Sequence, residues 1–148
     1  MSKSKLQPEK ISILDIRIIK GEIDSPHEVD LDKIEGYSFD LDYSVGFNSE
    51  ENLAKADIKV EVETESSGNY DEAYSFFHIS YLFEVENMEE LATPLEKPDE
   101  IEVDGALNNA LASITYSTTR GILLTRYQGT AFASFKLPVI NPNDLLKE

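Results

Sequence analysis

The residues best placed for chemistry are carboxylates. Asp40 and Asp42 stand two apart, as do Asp30 and Asp32, and Glu61, Glu63 and Glu65 repeat the spacing. On a strand that spacing puts side chains on one face. Paired carboxylates there could grip a hard cation, or act as general acid and base if their surroundings differed. These acids alternate with apolar residues and share one wet face, so they read as a charged sheet surface. Histidine adds little. His27 follows Pro26 in an acidic loop, and His78 lies between Phe77 and Ile79. Neither has a second histidine nearby to build a metal site. With no cysteine, thiolates, disulfides and sulfur ligands are excluded. The 7 glycines are scattered and form no phosphate loop or dinucleotide fingerprint. Ser66-Ser67 and Thr118-Thr119 have no histidine arranged for a triad. The expectation is a protein without catalytic residues, metal or cofactor, and so not an enzyme.

Charge narrows the partners. Lys plus Arg total 13 against 29 Asp plus Glu, a net charge of −16. Such a chain repels phosphate backbones and anionic membranes, which excludes nucleic acid as a partner. It steers in basic groups, including those of an unfolded polypeptide. Asp24, Asp40, Asp42, Glu61 and Glu63 are the candidate docking face for a basic partner. Met1 to Leu6 carries lysines but no apolar run behind them, and no apolar run in the chain is long enough for a bilayer. A cytoplasmic location and no membrane insertion are expected.

The elements that must position these residues are legible from hydrophobic period. Residues 1–10 are polar and expected to be disordered, with 11–148 forming a single domain. Ile11 to Ile19 is β-rich, but its alternation slips between Ile13 and Leu14, which predicts a β-bulge. From Tyr37 to Asn48 apolar and polar residues alternate strictly. Ala56, Ile58, Val60 and Val62 make a third strand, and Phe77, Ile79, Tyr81, Phe83 and Val85 a fourth. Short turns at Asn48–Asn52 and Ser66–Asn69 require antiparallel pairing. Residues 87–99 read as a loop with apolar teeth, since Pro94 and Pro98 oppose a continuous helix. From about Val103 to Tyr127 the period becomes helical. Leu107, Leu111, Ile114, Thr118 and Ile122 form a bulky stripe for the sheet. Ala106, Ala110, Ser113, Ser117 and Gly121 form a small-residue stripe where another helix could approach. Asp99 to Asp104 supplies acids at the helix start, and Arg120 and Arg126 lie near its end. Asn141-Pro142 opens a short C-terminal helical turn.

Two aromatics fall out of phase with the core. Tyr74 and Phe76 lie on the face of the fourth strand that should be wet. With Met88, Leu91 and Leu95 just downstream, they predict an apolar groove under the 87–99 loop that could bind varied polypeptide segments.

Three stretches, in the same order, resemble the SecB family of bacterial protein-export chaperones. Ile16 to Pro26 resembles the family's first strand and its acid–small–Pro turn. Ala110 to Ile122 is similar to its helix segment, and Phe135 to Leu146 to its L-A-P-V-N-F-D-A-L ending. The resemblance implies an α+β fold: a four-stranded antiparallel sheet with one long helix packed on it and a short C-terminal helical turn. It implies a homotetramer, a dimer of dimers with the long helices between two sheets. It implies an ATP-independent holdase for unfolded or precursor polypeptides in export, with an acidic face docking the motor SecA. Three departures stand against SecA docking. Two extra residues separate Tyr116 from Arg120, Lys20 stands where an acid is expected, and Phe76-Phe77 replaces another acid. Some relatives instead shield an antitoxin, so a dedicated adaptor is the alternative.

Overall fold

The computed structural model describes residues 5–26, 30–68, 71–96 and 100–146. His27, Asn69, Pro98 and Asp99, on which parts of the loop, turn and helix-start expectations fall, lie outside the described residues, as do both extreme termini. Four strands, β1 (Ile11–Asp24), β2 (Ile34–Asn48), β3 (Leu53–Ser66) and β4 (Tyr74–Val85), form one sheet in the order β1-β4-β3-β2. Every neighbouring pair is antiparallel, as the short turns require for β2–β3 and β3–β4. The β2–β3 turn is held by the Glu51 N–H donating to Asn48 Oδ1 at 3.2 Å. Asn52 closes it at φ +60°, a left-handed conformation that Asn tolerates.

Strict alternation gives the sheet one dry face. Ala54, Ala56, Ile58, Val60 and Val62 of β3 and Phe77, Ile79, Tyr81, Phe83 and Val85 of β4 are buried on it. The slip in β1 is the predicted bulge, a register shift between Ile13 and Asp15. A second shift, between Ile18 and Lys20, was not legible, because Ile18-Ile19 leaves the phase ambiguous. Residues 5–10 are placed against the fold: Pro8–Lys10 forms a 3₁₀ turn, and Asn87 Nδ2 donates to the Lys5 carbonyl at 3.0 Å.

The 87–99 segment corrects the loop expectation. Met88–Leu91 is a single helical turn, α1. A small hairpin follows, β5 (Ala92–Pro94) with β6 (Ile101–Val103). Pro94 is tolerated because it ends a short strand that has a single partner.

The long helix, α2 (Gly105–Arg126), opens on Asp104, whose carboxylate accepts the Ala106 N–H at 2.8 Å. It presents Leu107, Leu111, Thr115, Thr119 and Leu123 to the sheet, with Ala112 and Tyr116 buried beside them. The predicted bulky stripe is right at Leu107 and Leu111 and then drifts, leaving Ile114, Thr118 and Ile122 half-buried. Thr119 stands in the true stripe where a tyrosine of the sheet brings a hydroxyl to be paired. Tyr81 meets Thr119 at 2.6 Å, and Tyr127 meets Ser75 at 2.8 Å.

Tyr43 is less well served. Its hydroxyl and that of Thr115 are both buried, and neither completes a hydrogen bond. Burial pushes the Tyr43 phenol up to about 12, against the opposing pull of the Thr115 hydroxyl. The raised folded value stabilises the protein fully below the unfolded value near 10. That contribution fades as pH rises through about 10 to 12, on the order of 2 kcal/mol in all. Urea unfolding at successive alkaline pH values is expected to show the decline, and Tyr43→Phe to reduce its slope.

After Tyr127 the chain turns at Gly129, φ +79°, and returns along the helix. Phe132, Phe135 and Leu137 are buried. Rings of Phe135 and Tyr37 sit 5.3 Å apart, and those of Phe135 and Phe39 5.6 Å. Tyr37 donates to the Ala131 carbonyl, and Tyr116 to that of Pro138. Pro142–Leu146 then forms a 3₁₀ turn against α2 and β2. The return therefore lies over β2, the helix over the middle of the sheet, and neither covers β1.

Candidate interaction surfaces

The outer face of the sheet, away from the helix, carries the acids. Cross-strand register places Asp24, Tyr74, Glu63 and Ser38 in one row. The next row is Glu22, Phe76, Glu61 and Asp40, and the next Lys20, His78, Lys59 and Asp42. Asp24, Asp40, Glu61 and Glu63 thus lie at one end of the outer face, with Asp24 on the β1 edge, Asp40 on the β2 edge and Tyr74 and Phe76 between, while Asp42 stands opposite Lys59. Partial desolvation, then the charges of Glu61, Glu22 and Glu63 and a hydrogen bond to Glu61, raise the Tyr74 phenol's pKa. Lys20 Nζ lies 5.6 Å from the centre of the Phe76 ring. His78 Nε2 meets Asp57 Oδ1 at 2.8 Å on the outer sheet face, both about a quarter exposed. Among the described residues no three His, Cys, Asp or Glu side chains are placed to hold a metal ion.

The predicted groove residues are not brought together. Tyr74 and Phe76 are on the outer face at one end of β4. Met88 and Leu91 lie past the other end, buried in the core. Val85 lies nine positions beyond Phe76 along β4, a span of roughly 30 Å. Leu95 alone is exposed, beside the hairpin. Apolar residues after a strand more often close its core than line a groove, and here they do.

The open apolar surface is elsewhere. On the helix side of β1, Ile13, Ile16 and Ile18 are 44%, 39% and 37% exposed, and Leu14 and Ile19 at the two bulges are exposed as well. Ile16 and Ile18 face Ser117, Gly121, Ile122 and Thr125 of α2 across a groove of about 600 Å³. A second hollow of about 470 Å³ continues it past Gly21 and Phe77 to Arg126. Gly21 is required there: a Cβ would stand 2.8 Å from Phe77 Cε1. Of the small-residue stripe, Ser117 and Gly121 are exposed on this groove, and Ala106, Ala110 and Ser113 are half-buried. The helix carries no charge except Arg120 and Arg126. A helix destined for water normally has a charged outer face. Sequence reasoning missed the β1 isoleucines as a surface. The signal was the near-continuous apolar run Ile11 to Ile19, which needs cover on both faces.

The opposite edge is open too. Among the described residues β2 pairs only with β3, and it is regular from Gly36 to Asn48. It contains no Pro, Lys or Arg, and its charges are the acids Glu35, Asp40 and Asp42. Ser38, Asp40, Asp42 and Ser44 are exposed on its outer side, with Leu41, Tyr43, Val45 and Phe47 half-buried on the other.

Among the described residues no helix is long and apolar enough to cross a membrane. No protein-family model and no curated protein matches this chain. Among solved structures it is similar to the Mycobacterium tuberculosis Rv1957 SecB-like chaperone in complex with a ChAD peptide from the Rv1956 HigA1 antitoxin. Identity is 16%, the TM-score 0.57, and the match covers 89% of this chain and 91% of that one. A Streptococcus agalactiae protein of unknown function matches over 87% of this chain and 97% of its own, at 10% identity and a TM-score of 0.37. The chain therefore has a SecB-like α+β fold, a four-stranded antiparallel sheet carrying one long helix.

Proposed function

We propose that this protein binds extended or non-native segments of other polypeptides, as an ATP-independent, cofactor-free holdase and not as an enzyme. The observation that carries this reading is the β2 edge. A strand of 15 residues with no Pro or Lys in it offers a row of peptide groups for an added strand. A segment docked there would meet apolar side chains on one side and carboxylates on the other. That suits extended segments alternating apolar and basic residues, and the net charge steers them in. The fold it shares with a SecB-like chaperone is consistent with this.

Self-association belongs to the same reading. The β1–α2 groove and the nearly uncharged helix face fit a second copy of the chain, building a dimer or a dimer of dimers in the cytoplasm. The dedicated adaptor, shielding one partner such as an antitoxin, is the second reading. Lys20 on Phe76 favours it, because a cation and a ring stand where an export chaperone docking SecA is expected to carry acids. Co-purification from the native host separates the two: many clients support the holdase, one partner the adaptor.

The test places lysines on the edge. Ser38→Lys with Ser44→Lys changes two exposed positions, so fold and stability should move by less than about 0.5 kcal/mol. Suppression of aggregation of an unfolded client at stoichiometric ratio is expected for the wild type and to fall at least about tenfold in the variant. Equal suppression by both would remove the edge from the account. No suppression by the wild type, together with no co-purified partner, would end it.

A further inference from the structure

The outer face of the sheet is not acidic throughout. Beyond its acidic end, three successive rows carry Lys20 and Lys59, then Arg17, then Lys55. These are four of the chain's 13 lysines and arginines. The acids in the same rows are Asp42, Asp57 and Asp15, so four cations against three acids leave one positive charge in excess, on a chain of net charge −16. A hollow of about 260 Å³ lies here, lined by Asp15, Arg17, Ile19, Lys55, Ser80 and Leu82. We propose that this hollow binds a single carboxylate on a short apolar stem, the acidic side chain of another polypeptide. The chemistry rests on the hollow alone, and the polypeptide source on the binding reading above. The preference is opposite to that of the β2 edge, which favours basic segments.

The two bulges of β1 shape the hollow. Register shifts at Ile13/Asp15 and Ile18/Lys20 bracket Asp15 to Ile18. A bulge re-aims side chains, and the extra residue Ile19 joins Leu82 in lining the hollow, an apolar patch for the methylenes of a stem. Ser80 lines it too. It is only 8% exposed, and its hydroxyl makes no hydrogen bond among the described residues. A donor so placed lacks an acceptor, which a carboxylate oxygen supplies. Arg17 on β1 and Lys55 on β3 stand to either side, each only partly engaged. Asp15 takes the Arg17 Nε at 2.6 Å, but a guanidinium has more N–H donors than one carboxylate can use. Lys55 Nζ is 3.9 Å from Asp57 Oδ2, while Asp57 Oδ1 is already held by His78. The charge count selects the class of ligand. One excess positive charge balances a monoanion, whereas a phosphate dianion would reverse the sign within a strongly negative chain. A planar carboxylate also matches the guanidinium fork. The volume suits one side chain and falls below that of pockets for drug-sized ligands.

The test uses the full chain and saturation-transfer NMR observed on the probe. The probes are the blocked peptide acetyl-Gly-Leu-Glu-Leu-Gly-amide, its counterpart with glutamine for glutamate, and butyrate as a free acid, all at one ionic strength set with sodium chloride. The glutamate peptide should bind at least about tenfold more tightly than the glutamine peptide. Arg17→Gln with Lys55→Gln should abolish that difference, and Ser80→Ala should shrink it several-fold. Lys33→Gln with Lys136→Gln, the same loss of charge away from the hollow, should leave it unchanged. Equal binding of the two peptides by the wild type overturns the site. So does a difference that survives Arg17→Gln with Lys55→Gln in a chain with the native circular dichroism spectrum. If Arg17→Gln disturbs β1, Lys55→Gln alone decides, by whether the difference shrinks. Butyrate bound as tightly as the glutamate peptide, and lost in the same variant, would keep the carboxylate site and overturn its polypeptide source. A wild type that fails the aggregation test yet still prefers the glutamate peptide would count against the β2 edge and leave the hollow standing.

Discussion

Ile16→Asp combined with Ile18→Asp is expected to turn the protein from an oligomer into a single folded chain, read by light scattering. The isolated protomer leaves both isoleucines more than a third exposed, facing Gly121 and Ile122 across the β1–α2 groove. Burying them against a second copy gains roughly 1.5 kcal/mol or more per side chain. An aspartate in the same place must instead be dehydrated without a partner, at a cost of several kcal/mol. In a two-fold interface each substitution counts twice. Few dimers survive that. The protomer should stay folded at some cost in stability, because Ile16 and Ile18 already bury most of their surface within it. A wild type already monomeric would sink the self-association reading. A variant of unchanged mass would move the interface elsewhere on the molecule.

The second large effect is on stability. Phe132→Ala should cost about 3–5 kcal/mol, measured by urea unfolding. Phe132 is fully buried, with its ring 5.0 Å from Tyr127 and 6.2 Å from Tyr37. It pins the return where the chain leaves the helix, so the cavity would lie between β2, the helix end and the return. A domain is stable by only about 5–15 kcal/mol, which makes this a large fraction of the whole. Val139→Ala, a few residues further along the same segment, should change stability by less than about 0.5 kcal/mol. A loss below about 1 kcal/mol at Phe132 would mean that the return is not part of the cooperative core.

The acidic end of the outer face was legible because two-residue spacing on a strand is geometry: Asp40, Glu61 and Glu63 share a face whatever covers the other side. The bulge at Leu14 was legible for the same reason. The groove assigned to Tyr74, Phe76, Met88, Leu91 and Leu95 was not a groove. Alternation says which face a residue takes, but not how far apart two elements end, and Met88 and Leu91 serve the core.

By itself the sequence determined the local structure: four strands and their faces, the long helix, the acidic surface and the absence of thiol chemistry. Those follow from period, turn chemistry and charge, all properties of neighbours along the chain. Only the tertiary structure decided which strands became edges and which lane each covering element took. Alternation is identical for a central strand and an edge strand. β1 and β2 are exposed because one helix is about 10 Å wide and cannot cover four strands. The return covers one flank, and the other is left bare.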